Sequence, residues 1–296
     1  MKDYFGYNGK VCVVTGAASG MGKATAEMLV DLGAKVYALD WAEVKVDGVE
    51  KYIHTDLSKK ESIDEAFRQI PLTIHSYFGI AGVSGATTDF ATTVTIDFVS
   101  NKYICHEYLI NRMQENASIA FITSTGGNGW ELSQNKNVYL PVVEATGWDE
   151  TMEAINKTGL VMLPGTLGYP FSKLAMNYMT ISMQKDFAPK GIRVNAVLPG
   201  STKTGLIDQF EKMAGGVDNL LSHCGYASRL ATSEEMAQPI VFLNSNMATY
   251  ISGELVAVDY AQTSEEHAGF KVNETICNLE GILAQLKAMK EKNKQN

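Results

Sequence analysis

The sequence predicts an α/β protein built on an open parallel sheet with helices on both faces, and three observations carry that prediction. Apolar runs of strand length alternate with helix-like segments from Lys10 to Val258. A cluster of small residues, Thr15-Gly16-Ala17-Ala18-Ser19-Gly20-Met21-Gly22, lies between the first apolar run and the first helical pattern. The 296 residues, 45% apolar and 20% charged, suit one large open-sheet domain. Strands and helices alternate in this way when parallel strands are joined by right-handed crossovers. The expected architecture is therefore a doubly wound, Rossmann-type sheet of seven strands.

Strand patterns fall at 11–15, 34–39, 51–54, 74–80, 118–123, 192–198 and 254–258. Helix patterns fall at 23–32, 62–70, 96–113, 169–187 and 234–243. Gly33 stops the first helix. Two segments break the alternation: 128–168, with Trp130 and Trp148, and 262–296. We expect one domain over 1–262 with an insertion at about 128–168, followed by a helical extension at 263–296. In that extension Ile276, Leu279, Leu283, Leu286 and Met289 form an apolar stripe. It packs on its own subunit or on a partner, and an interface is the favoured expectation because an apolar face needs a cover.

Charge and composition exclude several classes. Net charge is −8, and the only basic concentration is Lys287, Lys290, Lys292 and Lys294, which reads as a solvated helix end. Nucleic-acid binding needs a concentrated positive face, so it is not expected. No apolar run reaches the roughly 18 residues of a membrane span, and the first ten residues do not resemble a secretory signal. Cys12, Cys105, Cys224 and Cys277 are scattered, as free thiols in a reducing compartment would be. The five histidines show no ligand spacing, so no metal is expected. A soluble cytoplasmic protein follows.

The small-residue cluster suits a dinucleotide. Small side chains let the backbone turn sharply against a pyrophosphate, and the helix N-terminus offers free N–H groups and a positive dipole end. Asp40 ends the second strand, 18 residues past Gly22. A carboxylate there accepts hydrogen bonds from both adenosine ribose hydroxyls and repels a 2′-phosphate. Neither Ser19 nor Trp41 supplies a cation to neutralise such a phosphate. NAD(H) is therefore expected rather than NADP(H).

Tyr169 and Lys173 stand four residues apart on one face of a predicted helix. A phenol with pKa near 10 is a poor base, but a neighbouring ammonium stabilises the phenolate and lets it exchange protons with a substrate hydroxyl. Ser124, at the C-terminal end of the fifth strand, can donate a hydrogen bond to a reacting carbonyl oxygen. It lies outside any GxSxG elbow, which argues against a hydrolase.

In this order the motifs resemble those of the short-chain dehydrogenases/reductases, over roughly residues 10–261. The resemblance rests on TGxxxGxG at Thr15 to Gly22, with Gly16, Ser19, Gly20, Met21 and Gly22 at the cofactor. It continues through Asp56-Leu57, an adenine contact in the family, and Ala81-Gly82 at the end of the fourth strand. Arg193-Val194-Asn195 resembles the RVN motif, and Pro199-Gly200-Ser201-Thr202-Lys203-Thr204 the PGxxxT motif, whose Thr202 and Thr204 would hold the nicotinamide amide. By this likeness Tyr169 is the general acid/base, Lys173 lowers its pKa and binds the nicotinamide ribose, and Ser124 polarises the substrate oxygen. The family's helix asparagine aligns with Asp97, or one turn later with Asn101; Gly79 and Ile80 replace two further asparagines, whose hydrogen bonds other groups must supply. A homodimer or homotetramer is usual in the family.

Tyr169 follows Ser124 by 45 positions, and only 15 separate Asp40 from Thr55. A long insertion with trimmed crossovers resembles bacterial 3α-hydroxysteroid dehydrogenase-like members, which implies a hydroxysteroid, bile acid or other bulky alicyclic ketone or alcohol as substrate. Leu206, Ile207, Phe210, Met213, Leu220 and Leu221 form either an apolar lid over that substrate or an ordinary core helix. The rival functions are an epimerase or dehydratase with bound NAD, and a non-catalytic NAD sensor.

Overall fold

A computed structural model describes residues 3–272 and 276–295. Met1, Lys2, residues 273–275 and Asn296 lie outside the described residues, as do the side chains of Lys290 and Lys294 from the basic end. Strands β1 (Val11–Thr15), β2 (Lys35–Asp40), β3 (Lys51–His54), β4 (Ser76–Gly79), β5 (Ser118–Ile122), β6 (Arg193–Pro199) and β7 (Leu255–Val258) pair in parallel, in the order β3-β2-β1-β4-β5-β6-β7. The winding reverses between β1 and β4, which opens a crevice at the C-terminal strand edge.

The central strands β1, β4, β5 and β6 are buried on both faces, so they read as near-continuous apolar runs. Alternate residues feed two cores. Val13, Tyr77, Ile119, Phe121 and Val194 face one, with Phe67, Phe98 and Phe171. Cys12, Val14, Phe78, Ala120 and Val197 face the other, with Leu29 and Ile240. Helices α1 (Gly20–Asp31) and α9 (Ser233–Asn244) supply the latter side. Helices α2 (Lys60–Arg68), α3 (90–112) and α6 (Gly165–Ser182) supply the former.

Helix α3 begins six residues earlier than its apolar periodicity predicts, because the Asp89 carboxylate caps it by accepting from the Thr92 amide at 2.7 Å. It carries two stretches of π winding, Thr95–Val99 and Ile104–Leu109. Helix α6 begins four residues before Tyr169, and glycines make this turn possible. A Cβ on Gly165 would collide with the Thr88 carbonyl, and one on Gly168 would lie 3.0 Å from the Phe90 carbonyl.

The insertion folds into α4 (Ser133–Glu144) and α5 (Gly147–Lys157) on the α3–α6 side. Lys102 of α3 anchors both: its buried ammonium donates to the Val142 carbonyl and to Thr151 Oγ1, each at 2.9 Å, and to the Ala145 carbonyl. After β6 come α7 (Ile207–Ala214) and α8 (Val217–Leu221), and after β7 come α10 (Gln262–His267) and α11 (Leu279–Gln295).

Helix α11 corrects the expected partner interface. Leu279 is buried, and Cys277, Leu283 and Leu286 pack on the chain's own core, against the side of α4. Asn135 of α4 fixes the join, donating to the Cys277 carbonyl at 2.8 Å and accepting from the Leu279 amide at 2.9 Å. The insertion itself supplies the cover that the stripe requires. Ile276 and Met289, at the ends of the stripe, are exposed. Among the described residues no helix is long and apolar enough to cross a membrane, and no group of His, Cys, Asp and Glu could hold a metal ion.

Candidate active site

At the end of β1 the chain turns through Gly16 at φ +73°, where a Cβ would lie 2.8 Å from Ala81 Cα. Gly22 lets the first turn of α1 sit directly on the Gly16 carbonyl. Ser19 precedes α1 in extended conformation without a side-chain cap, and the first turn carries no acidic residue. The N-terminal amides of α1, beside Gly20 and Met21, are therefore free to receive an anion. A pyrophosphate fits this cradle, which any larger side chain at Gly16 or Gly22 would fill.

Asp40 is held at the mouth of the turn, Oδ2 accepting from the Ala18 amide and Oδ1 from the Ala42 amide, both at 2.9 Å. Each oxygen keeps a lone pair for a ribose hydroxyl. Asp56 organises the next loop, accepting from the Ser58 amide at 3.0 Å and hydroxyl at 2.6 Å, with Lys59 Nζ at 2.9 Å. Leu57 is buried in the core, so its side chain belongs to packing.

Thr15 pins the end of β4, its hydroxyl accepting from the Ile80 amide at 3.0 Å and the Ala81 amide at 3.2 Å. This fixes Ala81 beside Gly16, while Gly82 lies next to Asp97 and Lys173. Across the crevice, Pro199 and Gly200 lead out of β6. Thr202 is buried and donates to the Gly200 carbonyl at 2.9 Å. Thr204 reaches Gly20, its Cβ 3.4 Å from where a Gly20 Cβ would lie.

The candidate reacting groups gather at the same edge. Lys173 Nζ lies 5.2 Å from the centroid of the Tyr169 ring; the lysine is buried and the tyrosine half-buried. Ser124 Oγ accepts from the Gly126 amide at 3.0 Å, which leaves its own proton to donate outward. A Cβ on Gly126 would lie 3.3 Å from Ser124 Oγ and 3.5 Å from Tyr169 Cε1, so the serine and the phenol flank one small gap.

Asn177, one turn beyond Lys173, donates to the Gly127 carbonyl at 3.0 Å and ties the serine turn to α6. Sequence reading missed it, although Tyr169, Lys173 and Asn177 form a polar i, i+4, i+8 stripe on an otherwise apolar helix.

Asp97 and Asn101 separate cleanly. Asp97 faces Lys173, with Oδ2 3.7 Å from Nζ. Asn101 occupies the space left by Gly79 and accepts from the Tyr77 hydroxyl at 2.8 Å, inside the core. Above the site, Phe210 of α7 meets the Tyr169 ring edge-on with centroids 5.2 Å apart, and the Ser84 hydroxyl donates to the side-chain Oε1 of Gln209. Phe210 is thus neither solvent-facing nor core, but stands over the phenol.

This arrangement has relatives. The family model for short chain dehydrogenases matches residues 10–135, and one for enoyl-(acyl carrier protein) reductases matches 152–260. The chain belongs to the short-chain dehydrogenase/reductase family. It is 27% identical to a coniferyl-alcohol dehydrogenase from a Pseudomonas species over 84% of this chain and 95% of the relative. It is 29% identical to a 3α-hydroxysteroid dehydrogenase from Mediterraneibacter gnavus, over 86% of this chain and 97% of the relative. The fold superposes on the crystal structure of a 3α-hydroxysteroid dehydrogenase from Pseudomonas sp. B-0831 complexed with NADH, with a TM-score of 0.72 at 21% identity, covering 89% of this chain and 100% of the other. This short-chain dehydrogenase/reductase is an oxidoreductase of the alcohol/ketone class that uses a nicotinamide cofactor.

Proposed function

We propose that the enzyme is NAD(H)-dependent and interconverts a secondary alcohol and a ketone on a bulky alicyclic substrate such as a hydroxysteroid or bile acid. The carrying observation is the buried Lys173 ammonium beneath the Tyr169 ring, beside Ser124, at the edge where the glycine turn opens. Tyr169 is the acid/base: in reduction its hydroxyl gives its proton to the carbonyl oxygen, and in oxidation it takes the proton back. Ser124 donates to the same oxygen and stabilises the charge that develops there. Lys173 balances the phenolate and binds the nicotinamide ribose. NAD(H), when bound, supplies or accepts the hydride.

Gly16, Ser19, Gly20, Met21 and Gly22 would hold the pyrophosphate, Asp40 the adenosine ribose, and Asp56 with the backbone of Leu57 the adenine. Ala81, Gly82, Pro199, Gly200, Thr202 and Thr204 would line the nicotinamide end. The preference for NAD(H) follows from Asp40, because a fixed carboxylate opposes a 2′-phosphate. The alicyclic substrate draws support from the hydroxysteroid dehydrogenases among the relatives and from the Phe210 ring of α7 over the phenol. Residues 1–262 form the catalytic unit, with 263–296 as its extension.

The test is oxidation of NADH and of NADPH in the presence of ketosteroids, oxo bile acids, cyclic diketones and small ketoesters. We expect turnover with NADH, at least about tenfold above NADPH, and the highest kcat/KM on a fused-ring ketone. A preference for NADPH overturns the Asp40 assignment, and turnover confined to small ketoesters overturns the substrate class. Binding of NADH without turnover of any ketone points to the sensor reading.

A further inference from the structure

Asp97 stands out because its charge is buried and only half accommodated. Its side chain has no exposure, and that of Lys173 has 4%. Oδ1 accepts from the Val83 amide at 2.8 Å, whereas Oδ2 has no hydrogen-bond donor among the described residues and lies 3.7 Å from Lys173 Nζ. A buried carboxylate is costly unless an opposite charge faces it. An amide side chain would accept from Val83 equally well, so that contact does not account for an acid at this position. What the acid adds is negative charge beside the lysine that serves Tyr169.

The surroundings of this pair are otherwise neutral. On the same helix Asn101 turns to Tyr77, and Lys102 is engaged with the insertion through Val142, Ala145 and Thr151. From the loop after β4 comes the Val83 amide, with Gly82 close by both charged groups. From α5 the neighbour of this turn is Met152, whose sulfur meets Thr95. From α6 come Lys173 and, next to it, Tyr169. The charge that faces Asp97 is that of Lys173.

We propose that Asp97 is a positioning residue whose carboxylate holds the Lys173 ammonium and cancels part of its pull on the Tyr169 proton. The idea rests on the acid/base role given to Tyr169 above. With the carboxylate ionised, the lysine–aspartate pair is close to neutral, and its net pull on the phenol proton is weaker than that of a lone ammonium. Removing the carboxylate charge should therefore favour the oxidation direction at lower pH. Burial pushes the Asp97 carboxyl up to about 6, against the pull of Lys173 and the Val83 amide, so the carboxylate is ionised above neutrality.

The experiment is the pH profile of kcat/KM for alcohol oxidation in the wild type, Asp97→Asn and Tyr169→Phe, with NADH binding by fluorescence and thermal unfolding recorded for each. In Asp97→Asn the pH of half-maximal oxidation should fall by about one unit, and Asp97→Ala, which also loses the Val83 contact, should shift it in the same direction. An unchanged half-maximal pH in folded, NADH-binding Asp97→Asn overturns the proposal. The wild type provides a second test that needs no variant. Protonating Asp97 does what the substitution does, so kcat/KM should fall about tenfold rather than hundredfold between pH 7 and 5. A hundredfold fall counts against it. Should Tyr169→Phe oxidise alcohol as the wild type does, the acid/base reading itself fails. If that variant is dead while Asp97→Asn leaves the profile in place, only the role of Asp97 is wrong.

Discussion

The glycine turn after β1 and the cover over Tyr169 meet at one sheet edge but are assembled by different means. The turn is made by backbone: positive φ at Gly16, a missing Cβ at Gly22, and a carboxylate anchored on two main-chain amides. The cover is made by side chains from distant parts of the chain. Ser84 reaches Gln209, Phe210 lies on Tyr169, and Asn128 of the insertion donates to Thr263 of the C-terminal extension at 3.2 Å. A site that binds an invariant phosphate group needs little more than backbone. A site that chooses among ketones needs side chains, which can change without disturbing the sheet.

This contrast can be broken at several points. At the junction of the two regions, Ser124→Ala should lower kcat about 10²–10³-fold while leaving NADH affinity intact, as checked by steady-state kinetics and fluorescence titration. On the cofactor side, Asp40→Ala should weaken NADH binding about 10–100-fold and narrow the gap to NADPH; an unchanged preference would remove Asp40 from cofactor selection. At the insertion, Lys102→Met leaves carbonyls at the end of α4 without their buried donor, and should cost about 1–3 kcal/mol in denaturant unfolding.

Smaller effects test the cover more finely. Phe210→Ala should raise KM for a fused-ring ketone up to about tenfold, with kcat less affected. A larger effect on NADH than on ketone would place Phe210 with the turn instead. A further effect concerns stability. Folding raises the Asp97 carboxyl from its usual 3.8 to about 6, so between these values the folded chain holds a proton that the unfolded chain releases. The contribution of Asp97 to stability therefore declines as pH rises from about 4 to 6. Asp97→Asn should flatten that part of the pH–stability curve, as read by thermal unfolding at several pH values.

The same contrast governs what was legible in the sequence. The seven strands fall within two residues of the expected runs, and the signal is clearest in β1, β4, β5 and β6, which are buried on both faces. The glycine turn, Asp40, Ser124, Tyr169 and Lys173 lie along one sheet edge because each belongs to a strand end or to one helix face, where local spacing fixes position. The insertion helices were not legible: Pro141 sits inside α4, only a short segment parts it from α5, and the pair takes shape around Lys102, a contact 40 residues or more away in sequence. The apolar stripe of α11 was visible, but its partner was not, because periodicity identifies a buried face without naming what covers it. The choice between Asp97 and Asn101 required Gly79, whose missing side chain makes the pocket that draws Asn101 into the core.

The central claim is that the phenol of Tyr169 exchanges a proton with the reacting oxygen, and Tyr169→Phe tests it most directly because it removes one oxygen atom and little else. Ketone-dependent NADH oxidation, measured alongside NADH binding, should fall by about 10²–10⁴-fold while the cofactor still binds. Turnover within a few-fold of wild type, in a variant that binds NADH normally, would contradict the account.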